Sequence, residues 1–439
     1  MILPLLAAAV LLPGPRPQVE SPLDRRAHEA AALVTKEPKW ADDLFEKAFL
    51  KQVPPEKLTP ILVHFFDTIG KVVDLQVRES KGEFHAVYDM IGEKDQVVPM
   101  TVIVSSKPPH SIIGLIFGNP SPLTKDLDGA AAEIAKLPGA TSFGIWKLGG
   151  EKPELVVGHE TEKALALGST FKLFVLGALA KEVADGKRKL EDVVKLDERW
   201  RSLPSGQMHT WPLGSPVTLQ TLASMMISIS DNTATDHLLF TLGREKVEAM
   251  LAPMGVAKPE KSVPFLSTGE MFRLKGAEGG KGAEEFAKLD AAKKREMLEK
   301  KIGAKPLDEK SIDLSAFAAP CHIEDVEWFA SASDLARAMD WLRRATESGP
   351  AAPLRGVMAI NPGLPVSKDV FPYVGFKGGS ETGVLNMTFL LRAKDGTWYA
   401  ASAGWNDTKD AVEDSRLVGL MQRALYLLGK GGAKKAEAK

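Results

Sequence analysis

Strand-like segments stand at both ends of the main stretch of this chain, and a long helical block separates them. A helix-like run over Leu127–Gly139 is followed by two alternating segments, TSFGIWKLGG and PELVVGHE, which read as a hairpin. A mainly helical region then occupies roughly 180–345, and three further strand-like segments follow: YVGFKGG, GVLNMTFLLRA and TWYAASAGW. A helix over DAVEDSRLVGLMQRALYLL closes the order. Short strands cannot remain unpaired, so this order predicts one antiparallel sheet drawn from both ends of the stretch, with an all-helical insertion and a groove where the two meet.

A different pattern precedes that stretch. Two helical segments, DDLFEKAFLKQV and EKLTPILVHFFDTIG, lead into four β-branched or alternating segments: VVDLQVRES, FHAVYDMIG, VVPMTVIVS and SIIGLIFG. They predict a small α+β domain over residues 21–122, and the turn-rich NPSPL at 119–123 serves as the linker. The second domain is expected over 123–430, with a solvated tail over 431–439. Residues 1–20 open on a short apolar run closed by Pro13-Gly14-Pro15, which reads as a secretory signal segment and predicts a secreted or periplasmic protein without a stable membrane span. The Lys- and Glu-rich stretch over 275–305 is expected to be a surface helix without chemistry.

Composition narrows the chemistry. With 56 basic and 57 acidic residues the chain has a formal net charge of −1, so it has no long-range field to hold nucleic acid. Its single cysteine, Cys321, rules out an intrachain disulfide and a cysteine-based zinc site. The scattered histidines show no HExxH or HxH spacing, so no metal and no cofactor is expected.

Three short motifs remain, in a fixed order. Ser169-Thr170-Phe171-Lys172 stands at the start of an apolar helical run, so Lys172 lies one turn from Ser169 on the same face. A serine hydroxyl needs a base to become a nucleophile, and a neutral lysine amine can serve. Ser230-Asp231-Asn232 falls between two helical runs, and Lys377-Gly378-Gly379 lies between two strand-like segments, where glycines let a ligand approach the backbone. Each motif alone also suits an N-cap, a helix–helix turn or a loop; the tail itself repeats Lys430-Gly431-Gly432.

In this order the motifs resemble those of the class A β-lactamase-like superfamily of penicillin-recognising serine hydrolases. The resemblance covers about Leu127 to Leu428. It implies Ser169 as the acylated nucleophile, Lys172 as its base, Ser230 as a proton relay and Lys377 as an electrostatic partner. It further implies Asn232, Gly379, Ser380 and Thr382 as substrate-binding residues, with the N–H groups of Ser169 and Ser380 as the oxyanion hole. The substrate is then a small molecule: a β-lactam, an ester or a cell-wall peptide. Two positions depart from the family pattern. Gly378 replaces the usual hydroxyl residue, and the E-x-x-L-N string that holds the deacylating glutamate is missing; Glu270 is the nearest candidate for that base, and a helix-start role suits it better. The N-terminal stretch resembles the cystatin-like or steroid-isomerase-like domain of a subgroup that includes a clavulanic-acid-cluster protein and mycobacterial secreted relatives. The expectation is therefore a β-lactamase or esterase working through an acyl-enzyme. Alternatives are a penicillin-binding-type D-alanyl-D-alanine peptidase and a non-catalytic ligand-binding protein.

Overall fold

The computed structural model describes residues 21–276, 280–303 and 313–431. The expected signal segment, 1–20, and the tail residues 432–439 lie outside the described residues. The chain divides into two compact units, one ending at Leu123 and the other beginning at Thr124.

In the first unit, helices α1 (Pro22–Ala31), α2 (Lys47–Gln52) and α3 (Pro55–Ile69) precede strands β1 (Val72–Ser80), β2 (His85–Gly92), β3 (Gln96–Val104), β4 (Ile112–Phe117) and the short β5 (Ser121–Pro122). The antiparallel sheet runs β1-β2-β3-β4, with β5 also on β3. Helix α3 begins with Pro55 in its first turn and stops at Gly70, whose φ of 75° is easily reached only by glycine. Its Leu58, Leu62, Phe65 and Ile69 form the buried stripe expected of an amphipathic helix. The helix expected from Asp42 is much shorter, starting only at Lys47. Residues 44–46 instead bond to the sheet: Ile112 N–H donates to Leu44 O at 2.7 Å and Glu46 N–H to Ile112 O at 2.9 Å. A backbone group committed to a strand is lost to a helix.

The second unit is an antiparallel sheet between two helical layers. Helix α4 (Leu127–Ala135) leads into β6 (Ala140–Leu148), β7 (Glu154–His159) and the two-residue β8 (Leu165–Ala166). A 3₁₀ turn at Gly168–Phe171 and α5 (Lys172–Ala184) open the helical block. That block holds the ribbon β9 (Val193–Lys195) and β10 (Pro216–Thr218), then α6 (Leu219–Ser228), α7 (Asn232–Leu242), α8 (Arg244–Leu251), α9 (Thr268–Gly276), α10 (Lys281–Ala287) and α11 (Ala291–Met297). After it come β11 (Phe329–Ala330), α12 (Ala332–Ala345), α13 (Pro353–Met358), β12 (Tyr373–Glu381), β13 (Val384–Arg392), β14 (Trp398–Asn406) and α14 (Asp414–Gly429).

The main sheet runs β12-β13-β14-β6-β7, so β6 closes against β14, with Ala140 opposite Asn406. Helices α4 and α14 cover one face, around Phe143, Phe389, Trp405 and Leu417. Helices α5 and α12, with the rest of the helical block, form the other core. Strand β13 is buried at every position but its last, as a strand sandwiched between two helical layers should be. The stretch over 275–305 is not one surface helix: α10 and α11 bury Ala283, Phe286 and Met297. Among the described residues no helix is long and apolar enough to cross a membrane.

Candidate active site

Ser169 sits in the 3₁₀ turn rather than in the α-helix, which starts at Lys172. Two contacts fix this turn. Leu167 N–H donates to Trp328 O at 3.0 Å, continuing the β8–β11 pairing, and the Phe171 ring stacks on Trp328 with centroids 3.7 Å apart. On its other side the turn presses against β12. A Cβ on Gly379 would lie 2.2 Å from Leu167 O and 2.4 Å from Ser169 N, and one on Gly168 would lie 2.8 Å from Ser380 N. Two glycines therefore let the backbones of the turn and the strand meet, which brings the Ser169 and Ser380 amides onto facing surfaces. Lys377-Gly378-Gly379 lies inside β12, the strand expected over YVGFKGG; the register with β13 continues unbroken from Tyr373↔Arg392 to Glu381↔Val384.

Lys172 is fully buried, and its Nζ lies in hydrogen-bond contact with Ser230 O at 2.6 Å, Asn232 Oδ1 at 2.7 Å and Ser230 Oγ at 3.0 Å. Burial, assisted by the charge of Lys377, holds its amine well below the ordinary lysine range despite Asp236 and Asp231 nearby. Lys377 Nζ reaches Ser230 Oγ from the opposite side at 3.1 Å and also bonds Gly378 O. Burial alone pushes its pKa down to about 7. The Ser230 hydroxyl thus bridges two buried lysines.

Ser230 has a φ of 58°, unusual for a residue with a Cβ and a known form of strain at functional positions. Asp231 holds that turn: its carboxylate accepts from Gln207 N at 2.7 Å, Met208 N at 2.8 Å and Ala234 N at 2.9 Å, the last as the N-cap of α7. Asn232 is fixed between Lys172 and Leu203 O, which its Nδ2 reaches at 2.9 Å.

A cleft of about 460 Å³ opens beside these groups, lined by Ser169, Ser230, Asn232, Lys377, Gly379 and Ser380 together with Glu327, Trp328, Phe376 and Glu381. Ser169 Oγ makes no hydrogen bond among the described residues. Two of the residues chosen from the sequence lie elsewhere. Thr382 donates to Phe317 O and does not line the cleft. Glu270 is also absent from its lining. The Glu270 carboxylate is clamped by Arg244 at 2.7 and 2.9 Å and accepts from Ser267 N at 2.8 Å, while Glu270 N–H returns to Ser267 Oγ at 3.2 Å. This is a reciprocal cap at the start of α9, and the Ser267-x-x-Glu270 spacing announces it in the sequence. The sequence reading missed Thr268, Glu327, Trp328, Phe376 and Glu381, whose positions depend on contacts between distant segments. Among the described residues no group of three His, Cys, Asp or Glu side chains is placed to hold a metal ion.

Residues 123–314 match the model of the beta-lactamase enzyme family. The match includes Ser169, Lys172 and Ser230 and stops before Glu327 and β12. No curated protein matches the chain. Among solved structures, a β-lactamase from Francisella tularensis is similar over 70% of this chain and 99% of its own, at 12% identity and a TM-score of 0.50. A β-lactamase from Sphaerobacter thermophilus DSM 20745 covers 70% of this chain and 98% of its own, at 21% identity and a TM-score of 0.48. The protein PBP-A covers 72% and 98%, at 16% identity and 0.47.

Proposed function

We propose that the chain is a serine hydrolase of the class A β-lactamase type, which forms an acyl-enzyme on Ser169 with a β-lactam or ester and then hydrolyses it. The observation that carries this reading is the hydroxyl of Ser230 bridged by two buried lysines beside an open serine. A neutral Lys172 takes the proton of Ser169 Oγ as it attacks the carbonyl carbon. The N–H groups of Ser169 and Ser380 hold the oxyanion. Ser230 passes the proton to the leaving group, and Lys377 stabilises the charge that develops there. Ser380, exposed at the cleft, meets the substrate, while Asn232 serves chiefly to orient Lys172. Secretion, suggested by the apolar run in residues 1–20, belongs to the same proposal.

A second reading has one observation in its favour. Glu270 is committed to Arg244 and cannot reach a cleft water, which suits a penicillin-binding-type peptidase that β-lactams trap as a stable adduct. Mass spectrometry of wild type and Ser169→Ala after exposure to a chromogenic cephalosporin, with turnover followed in parallel, tests both. A Ser169 adduct with turnover supports the hydrolase, and a long-lived adduct with D-Ala-D-Ala peptide cleavage supports the peptidase. Absence of any Ser169-dependent adduct or turnover with β-lactam, aryl ester or peptide would overturn both in favour of a binding protein.

A further inference from the structure

A second group of buried ionisable side chains flanks Ser169 on the side away from Lys172. Lys275, at the end of α9, is fully buried and places Nζ 2.6 Å from Glu381 Oε1 and 3.6 Å from Glu327 Oε1. Glu381 is the residue after Ser380 on β12, and Glu327 precedes Trp328, whose carbonyl and ring hold the Ser169 turn. Both glutamates line the cleft that contains Ser169. Along β12, alternation puts Lys377, Gly379 and Glu381 on one face. Gly379 packs on the turn of Ser169, so the strand presents an amine on one side of the nucleophile and a carboxylate on the other.

The charges in this group do not balance. One ammonium serves two carboxyl groups in a place where water barely reaches: the Glu327 side chain is 0% exposed and that of Glu381 12%. Glu327 Oε2 accepts from Trp328 N–H at 3.1 Å, but its Oε1 makes no hydrogen bond. A buried carboxylate oxygen without a partner is costly, and a proton shared with Glu381 removes the cost. Burial first, and the charge of Glu381 second, push the Glu327 carboxyl up to about 8, against the pull of Lys275. Burial therefore favours the protonated form of Glu327, while Glu381 is the member of the pair bonded to Lys275 and partly open to the cleft.

We propose that Glu381, backed by Glu327 and Lys275, is the general base for the water that hydrolyses the Ser169 acyl-enzyme. This rests on the acyl-enzyme reading above. The water oxygen bonds to the acyl carbon while its proton passes to the Glu381 carboxylate. The tetrahedral intermediate then collapses with cleavage of the bond from carbon to Ser169 Oγ. The proton held by the carboxyl pair returns to Oγ, and the carboxylic acid product leaves. Glu381 is the catalytic residue. Glu327 is a positioning residue that keeps the pair singly protonated, and the groups facing it are Glu381 from β12 and Lys275 from α9, with the Cys321 thiol near Lys275.

The test is single-turnover mass spectrometry and stopped-flow kinetics on full-length E381Q with a chromogenic cephalosporin. The Ser169 adduct is expected to form and persist, with its hydrolysis slowed by roughly 100- to 10,000-fold, the usual range for losing a general base. Hydrolysis of the adduct at the wild-type rate would overturn the proposal. If wild type forms no Ser169 adduct, the acyl-enzyme reading itself falls instead. Should E381Q fail to fold by its thermal melt, E327Q decides: the wild-type adduct is expected to hydrolyse at a rate that changes with pH where Glu327 titrates, above the usual carboxylate range, and E327Q to lose that change. An unaltered pH profile in E327Q would then refute the assignment.

Discussion

Gly379→Ala puts the smallest side chain at the point where strand and nucleophile turn touch. The added Cβ would stand 2.2 Å from Leu167 O, 2.4 Å from Ser169 N and 2.5 Å from Thr170 N, all backbone atoms that cannot rotate aside. Restoring an ordinary contact of 3.4 Å forces turn and strand apart by about 1 Å, and displacements of that size in an active site cost roughly 100-fold in rate. Loss of one oxyanion donor costs about 100- to 1,000-fold, so the two arguments converge on a fall in Ser169 acylation of at least about 100-fold. Overpacking here should also lower stability by about 1–3 kcal/mol. The neighbouring Gly378→Ala is the control, because its Cβ meets the Phe376 ring at 2.8 Å and comes no nearer than 3.4 Å to backbone, at Asn386 O. The assay is the rate of adduct formation on Ser169, followed by rapid-quench mass spectrometry, with a thermal melt of each variant. If G379A acylates within threefold of wild type, or if G378A loses as much, the facing-backbone account of the oxyanion site is refuted.

Other outcomes follow from the same geometry. Ser230→Gly relieves a φ of 58° but removes the hydroxyl shared by Lys172 and Lys377, so its stability should fall by no more than about 1–2 kcal/mol while turnover collapses; a larger drop in melting temperature would contradict the strain argument. Glu270→Ala strands Arg244 in the interior and should cost about 3–5 kcal/mol, yet leave the ratio of acylation to deacylation unchanged when both are measured below its melting temperature. Lys377 is held near 7 when folded and returns to the ordinary lysine value when unfolded. Between those values the unfolded chain binds more protons, so the Lys377 penalty is full below about 7 and fades as pH rises towards 10. Wild type should therefore gain stability relative to Lys377→Met across that window in denaturant titrations, and a falling difference would reverse the sign of the argument.

The three motifs were readable because each keeps its chemistry within four residues: the lysine of Ser169-x-x-Lys172 must be near its serine whatever else folds. That one antiparallel sheet draws strands from both ends of the stretch was readable from alternation and from the gap between two groups of strands. What escaped depends on pairings at long range. Nothing local tells Lys275, in a stretch crowded with charge, that Glu327 and Glu381 will meet it away from water. The 3₁₀ form of the Ser169 turn escaped because it is imposed by Trp328 and Gly379, not by propensity. Thr382 looked like a spare hydroxyl for the site until Phe317 O claimed it. The helix-start role of Glu270 was legible from its place in the sequence, and the structure adds Ser267 as its capping partner.

The pairing of β6 with β14 also governs when the cleft around Ser169 is complete. Ala140 waits for Asn406, and contacts of such wide separation form late and slowly. A chain emerging in order presents Ser169, Lys172 and Ser230 long before Lys377 and Ser380 exist. Until β12–β14 join the sheet, Ser169 has no facing strand and no Ser380 amide beside it. On the proposed acyl-enzyme reading, the growing chain is expected to be inert towards acylating compounds, and an early stop anywhere before β12 to leave a serine that is not trapped.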